Sequence, residues 1–505
     1  MSIRTPPGRS AARLQLGAPA RLSYTRLAIA DSVAAIGALG VVCGTMGVLD
    51  DGRDAAFLII TGALALGSGI RTRRSFARNI RPAPGRIIGG LALSWITVVL
   101  LGTGVYLATG TIDSVERALV ESAAGFSTTA VTTVDPSELS VPMQLWRAST
   151  QWLGGLLGII AGVIALPLAF RGRYLNAHGS QQNPDRLAPT PEVGRRRVAT
   201  IYLALTVALG LAYALTGLGT RDSVVHAMTT ISTGGFSSQP DSFVGFGTGP
   251  RIVAVVGMVI GGSSYFLVWW LIRGRLAPVW RSTELRFYFA LLTGGSLLVM
   301  LDRGHLGLGD AVFTTVSAVS TTGFAVGDWT VLDDAVLSVL LVLIGTGAMS
   351  GGAGGGLGVI RAWMLLGFAS RELRRQLDPH SVVVVKQAGI AIDEPTLERT
   401  TGYQIGHLGL CAIAAFLIAA GGGVDVTGAV FSGISVISTH GPGVGTGPFG
   451  DLSEWSPMGR LLLLPFMLAG RLSILPLLLA VSTLFAGKQT VVRGARRLAT
   501  RTTKR

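Results

Sequence analysis

The sequence predicts an all-α polytopic membrane protein in which four pseudosymmetric helix–loop–helix repeats surround one axis, with two extra transmembrane helices ahead of them. Three observations lead there. Of 505 residues, 49% are hydrophobic and only 14% charged, more apolar surface than a soluble domain buries. About ten stretches are apolar enough to cross a hydrocarbon core of about 30 Å. Between them a short segment of small and hydroxyl residues recurs four times, the mark of an internal repeat.

Crossings are expected near 27–48, 55–70, 86–109, 143–170, 197–217, 250–273, 285–300, 335–370, 402–421 and 457–486. About 20 apolar residues at a rise of 1.5 Å each are what such a span needs. The 70 glycines suit this setting, because glycine lets helices pack closely in lipid and lets backbone leave the helix beside a cavity. The implied organisation is a basic tail (1–26), a two-helix extension (27–84), repeats at 85–175, 190–275, 280–375 and 395–488, and a second basic tail (489–505).

Lys and Arg total 42 against 27 Asp and Glu, a net charge of +15. In a soluble chain this would suggest nucleic acid, but here the basic residues lie between spans, in "RTRRSFARNIRPAPGR", "RGRYLNAHGSQQNPDRLAPTPEVGRRR", "RGRLAPVWRSTELR" and "SRELRRQLDPHS". Arginine-rich connections stay on the cytoplasmic side. The alternate connections carry Asp113, Asp135, Asp222, Asp241, Asp310, Asp328, Asp425 and Asp451, and are expected to face outward. Both termini are then cytoplasmic, and topology rather than nucleic acid accounts for the basic excess. Cys43 and Cys411, each inside an apolar segment, make neither a disulfide framework nor a thiolate metal site. The N-terminal segment has no apolar core and reads as a tail, not a cleaved signal.

Each outward connection after the third crossing holds a segment too short to span: "SVERALVESAAGF", "SVVHAMTTISTGGF", "DAVFTTVSAVSTTGF" and "GAVFSGISVISTHGPG". A short helix that enters the membrane and turns back explains them. Aligned by their small residues, the turns place Thr128-Thr129-Ala130, Ser232-Thr233-Gly234, Thr321-Thr322-Gly323 and Thr439-His440-Gly441 in equivalent positions. One S-T-G-G-F alone is more often a tight loop than a site. Four in matching units imply a lined cavity, since carbonyls at that depth cannot go unpaired against lipid. A ring of such carbonyls can replace the water shell of an alkali cation without burying a formal charge. Gly234, Gly323 and Gly441 would let the backbone turn, and the preceding helices would aim their negative ends at the axis.

Under the third turn, "IGTGAMSGGAGGGLGVIR" interrupts the eighth crossing. Each glycine costs a helix roughly 1 kcal/mol relative to alanine, so a break is expected over 345–358, with Gly351, Gly352, Gly354, Gly355 and Gly356 at its centre. A nucleotide-binding loop would need G-x-G-x-x-G after a strand, and neither is present. A segment able to block or clear a pore fits better. In the last span, Arg471 of "PFMLAGRLSIL" sits about 16 Å deep at helical rise, where an arginine must face water or a partner. Pairing for structure alone is the competing role.

Together these residues resemble the Trk/Ktr/HKT superfamily of potassium and sodium transporters, most closely its bacterial TrkH-type subunits. The resemblance rests on "FSTTAVT", "HAMTTISTGGFSSQPDSF", "STTGFAVGDW" and "STHGPGVG", on "LWRASTQWLGGLLGI" after the first turn, and on "GRLSIL" in the last span. It implies potassium uptake through a selectivity filter of four pore loops around one pore. It also implies a homodimer, and a ring of cytoplasmic nucleotide-binding regulatory subunits of the RCK or TrkA kind. The family has glycine where this chain has Ala130, a lysine where Gly358 stands, and a glutamate where Ser473 stands. In plant HKT relatives a serine at the place of Ala130 accompanies sodium permeation.

The expected function is therefore potassium uptake, passive or coupled, across the cytoplasmic membrane, with no enzymatic activity and no organic cofactor. Thr128, Thr129, Ser232, Thr233, Thr321, Thr322, Thr439 and His440 are expected to supply oxygens, chiefly backbone. Ala130, Gly234, Gly323 and Gly441 form the turns, while the 345–358 loop and Arg471 form the barrier. A histidine at 440 either hydrogen-bonds structurally or narrows the entrance. The alternatives are a sodium-permeable or poorly selective cation pathway, and a non-conducting membrane anchor for a regulatory subunit.

Overall fold

The computed structural model describes residues 19–50, 52–75, 84–162, 191–301, 306–380, 383–387, 389–421, 424–447 and 449–472. Most of the N-terminal tail, the tail 489–505, the connection 163–190, the end of the last expected span and Ser473 lie outside the described residues.

Helices α1 (Pro19–Gly47) and α2 (Gly52–Arg74) form a hairpin that leans on the first repeat. Its tightness comes from small residues: a β-carbon on Gly37 or Gly62 would run into the backbone of the other helix. The first unit follows as α3 (Pro84–Thr109), α4 (Val115–Ser127) and α5 (Val141–Ile160). The second is α6 (Pro191–Leu215), α7 (Thr220–Ile231), α8 (Thr248–Gly261) and α9 (Tyr265–Ile272), with α10 (Leu276–Arg281) as a link. The third is α11 (Thr283–Val299), α12 (Leu308–Ser320), α13 (Asp334–Thr346) and α14 (Val359–Leu377). A two-stranded antiparallel hairpin, β1 (Lys386–Gln387) and β2 (Ile390–Ala391), leads to α15 (Glu394–Gly421), α16 (Val426–Ile437) and α17 (Pro457–Leu472).

The packing runs in a closed cycle. In every unit the helix after the turn packs on the short helix of the next: α5 on α7, α8 on α12, α13 on α16, and α17 back on α4. The outward faces remain apolar. Along α6, Leu203, Val207, Leu211 and Leu215 recur every four residues and are exposed, while Leu209 and Tyr213 between them are buried.

Two expected spans are subdivided. The stretch 250–273 is not one helix: α8 and α9 meet at a bend of 104°. Breaking the ladder there frees the carbonyls of Gly261 and Gly262, which accept the amides of Ala353 (2.9 Å) and Met349 (3.0 Å) from the third unit. Gly261-Gly262-Ser263-Ser264 marks the weak point in the apolar run, but not the bend, whose hydrogen bonds are completed from the third unit. The stretch 335–370 divides into α13 and α14 around the glycine-rich loop 347–358. Among the described residues, five helices are long and apolar enough to cross a membrane alone, and the bent pair makes a sixth.

Candidate functional site: four turns and the loop beneath them

All four short helices end in the same way. Thr128, Thr233, Thr321 and Thr439 follow them with φ of 56°, 49°, 56° and 58°, in the left-handed region that β-branched residues avoid. Their amides donate to the carbonyl three residues back at 3.0, 3.0, 3.2 and 3.1 Å. The next amides, of Thr129, Gly234, Thr322 and His440, donate five residues back at 2.9, 2.8, 3.0 and 2.9 Å. These bonds close each helix and leave extended backbone beyond it.

The geometry moves the second turn by one residue relative to the sequence alignment. Thr233, not Ser232, is the counterpart of Thr128, and Gly235, not Gly234, is the counterpart of Gly323 and Gly441, with φ of 78°, 87° and 105°. Ser232 instead matches Ser127, Ser320 and Ser438, ahead of the left-handed threonine. Two adjacent glycines read alike as letters; only the sign of φ tells which one turns the chain. Ala130, at the corresponding place in the first turn, is not among the positive-φ residues.

The turns meet. The Ala130 amide donates to the His440 carbonyl at 3.1 Å, joining the first turn to the fourth. A β-carbon placed on Gly323 would come 2.6 Å from Cβ of Ala130, and one on Gly235 would come 2.7 Å from the same atom. Thr128, Thr129, Ser232, Thr233, Thr321, Thr322, Thr439 and His440 are all fully buried. The His440 ring lies behind its turn, where Nδ1 faces the Pro442 carbonyl at 3.2 Å and Trp329 packs at 5.3 Å between centroids. It is thus placed for a structural role, with its carbonyl toward the other turns.

A polar scaffold that the sequence reading did not single out holds the first two turns. Arg147 of α5 pairs with the buried Glu121 of α4 at 2.7 Å, donates to the Ser237 carbonyl at 3.1 Å and lies over the Phe236 ring at 3.6 Å. Glu121 also accepts the Thr133 amide at 2.8 Å. One turn further along α5, Gln151 donates to the Gly234 carbonyl (2.6 Å) and accepts the Phe236 amide (3.0 Å). The available signal was Arg147 and Gln151 four apart within an expected span, hence on one face.

Below the turns, the loop 347–358 rises to the helix ends. Gly355 donates its amide to Oγ1 of Thr321 at 2.8 Å, and a β-carbon on Gly354 would stand 3.0 Å from that same oxygen. Gly347, Gly351, Gly356 and Gly358 have φ between 73° and 95°, which explains the glycine density. The loop is tied on two sides. Ser350 donates its amide to the buried Glu284 at 2.7 Å. Arg471 donates from Nη1 to the Ala353 carbonyl at 2.6 Å, and from Nη2 to the carbonyls of Gly154 and Gly155 at 2.9 and 3.1 Å. A cavity of about 120 Å³ opens below, lined by Gly158, Ser350, Gly352, Gly355, Arg361 and Arg471 among others. Among the described residues Arg471 meets carbonyls and no carboxylate, so its charge stays uncancelled at the neck of this cavity.

The arrangement therefore offers buried carbonyls at the negative ends of four helices, with a cationic side chain and a hydrogen-bonded loop beneath. Such a site can hold and hand on a cation.

Comparison with known proteins follows the same lines. The family described as TrkH, cation transport protein, matches residues 88–301 and 279–489. The Trk system potassium uptake protein TrkH of Escherichia coli K12 is 29% identical over 391 residues, covering 74% of this chain and 80% of the relative. The protein of the same name from Halomonas elongata is 29% identical over 448 residues, covering 84% and 90%. The crystal structure of the potassium transporter TrkH from Vibrio parahaemolyticus superposes with a TM-score of 0.77 at 24% identity, covering 90% of this chain and 97% of that one, a likeness of fold.

Proposed function

The chain belongs to the TrkH family of cation transport proteins, and from that premise we propose that it takes up potassium across the cytoplasmic membrane through its four turns, with the 347–358 loop and Arg471 as the barrier below. The observation that carries this reading is the set of four left-handed threonines, Thr128, Thr233, Thr321 and Thr439, at the ends of four short helices. Holding such a backbone costs roughly 1–2 kcal/mol per residue, and a fourfold recurrence of that cost is understandable where the carbonyls must face a common point. The carbonyls of these threonines, with those of Thr129, Thr322 and His440, supply oxygens to a dehydrated potassium ion, and the helix dipoles favour its positive charge.

The guanidinium of Arg471 raises the energy of a cation leaving the turns, while the tip of the loop at Gly354 and Gly355 obstructs its path. Release requires the loop to part from Thr321 or Arg471 to leave Ala353. The names of the relatives speak of a potassium uptake system, which supports a multi-component assembly. Two copies of this chain with nucleotide-binding regulatory subunits on the arginine-rich, cytoplasmic face fit that description, and both termini lie on the same face.

The test is rubidium uptake into vesicles containing the purified full chain, with potassium and sodium as competitors, repeated with cytoplasmic regulatory subunits added. Potassium is expected to compete better than sodium. A chain that passes no rubidium under either condition overturns the reading and leaves a non-conducting anchor.

A further inference from the structure

In three of the four turns a side chain hydrogen-bonds the backbone beside the turning glycine; the first turn is held further along, at Thr133, and has no such bond beside Ala130. In the third, Oγ of Ser317 accepts the Gly323 amide at 3.1 Å and donates to the Phe324 carbonyl at 2.8 Å. In the fourth, Oγ of Ser435 accepts the Gly441 amide at 3.0 Å and donates to the Pro442 carbonyl at 3.0 Å. Both serines stand six residues before the turning glycine. In the second turn Gln151 reaches in from α5 and holds the opposite pair of groups, the Gly234 carbonyl and the Phe236 amide, while the hydroxyl of Thr229, six residues before Gly235, stays on its own helix at the Val225 carbonyl.

Six residues before Ala130 stands Ala124, which has no hydroxyl to offer. The first turn has gone the other way. The Ala130 amide donates to the His440 carbonyl at 3.1 Å, and the Val131 amide closes a three-residue turn on the Thr129 carbonyl at 2.9 Å. Two carbonyls that would belong to one ring of the filter thus accept hydrogen bonds from the first turn itself. The N–H bonds present the positive ends of their dipoles where a cation needs oxygen.

Resting on the reading of the turns as an ion filter, we propose that position 124 is a specificity-determining position: the missing hydroxyl lets the Ala130 amide turn inward and weakens the ring that discriminates potassium from sodium. Ala124 touches no ion and acts through the backbone of the first turn. Discrimination depends on the number and field of the coordinating carbonyls, so a ring with two oxygens engaged by amides selects less sharply. A hydroxyl at 124, in the geometry of Ser317 and Ser435, accepts the Ala130 amide and frees the His440 carbonyl.

The experiment compares wild type, Ala124→Ser, Ala130→Gly and Ser435→Ala as purified full chains in vesicles, reading the ratio of potassium to sodium competition against rubidium uptake. Ala124→Ser is expected to raise the ratio by up to about tenfold, the factor equivalent to ~1.4 kcal/mol and the scale of one hydrogen bond. Ser435→Ala, which loosens the fourth turn, lowers it. An unchanged ratio in Ala124→Ser beside a changed one in Ala130→Gly overturns the proposal, because the β-carbon at 130 then acts alone. If Ala124→Ser does not fold, Ser435→Ala decides, and wild-type selectivity in that variant overturns it. A wild-type chain that passes no rubidium would instead overturn the filter reading itself.

Discussion

The guanidinium of Arg471 and the carbonyl of Ala353 are joined at 2.6 Å, so that the last described helix holds the tip of a loop 118 residues away in sequence. The other arm of the same side chain reaches the Gly154 and Gly155 carbonyls of α5, binding three units together at one point. A substitution at this residue removes a charge and a tether at once.

Arg471→Ala is accordingly expected to increase rubidium flux. Hydrogen bonds to a charged group are worth about 1.5–3 kcal/mol each, so a rise of roughly tenfold or more follows if the closed loop depends on them. Arg471→Lys keeps the charge but cannot reach both sets of carbonyls with a planar fork, and falls between. Flux in Arg471→Ala equal to wild type removes both the loop and the arginine from the barrier.

Glu284→Gln tests the second tether separately. The neutral side chain still accepts the Ser350 amide, so a modest rise in flux is expected, whereas Glu284→Ala leaves that amide unbonded and loosens the loop further. The order wild type, Gln, Ala in single-vesicle flux is the prediction, and a reversed order contradicts it.

The pair Glu121–Arg147 is buried, with exposures of 0% and 5%, so removing one partner strands the other charge. Glu121→Ala is expected to cost about 3–5 kcal/mol and to lower the thermal unfolding midpoint of the purified chain. Reversing the pair by Glu121→Arg with Arg147→Glu does not rescue it, because Glu121 also accepts the Thr133 amide. Thermal denaturation in detergent measures both.

Gly323→Ala is expected to abolish selective uptake: its φ is 87°, and a β-carbon there meets Cβ of Ala130 at 2.6 Å. Gly327→Ala, four residues on, meets nothing within 4 Å and serves as the tolerated control. Equal uptake by the two variants would falsify the convergence of the turns on a common point.

Gln151→Leu leaves the Gly234 carbonyl and the Phe236 amide without their partner at a cost of about 1–3 kcal/mol each. The expected outcome is a lower ratio of potassium to sodium competition with the chain still folded, measured in the same vesicle assay.

Much of this was legible as letters. Apolar length locates spans because a bilayer demands about 20 such residues wherever they occur, and glycine density in 351–356 announces a broken helix because glycine opposes one. The recurrence of Thr128, Thr321 and Thr439 was visible for the same reason: identical local backbone selects similar residues. The second turn was misaligned by one because Gly234 and Gly235 are chemically identical, and the choice between them is a matter of φ. Glu121, Arg147, Gln151 and Glu284 have no local partner in the sequence, since theirs come from other helices or from loops between them.

The sequence by itself determined the membrane setting, the fourfold recurrence of short helix and turn, and the break under the third turn, all of which follow from local length, composition and propensity. Tertiary structure alone decided which partners complete the bend between α8 and α9, the register of the second turn, and the inward amide of Ala130. Each of these depends on a hydrogen bond made or missing between residues far apart in the chain, and no local pattern records where such a bond ends.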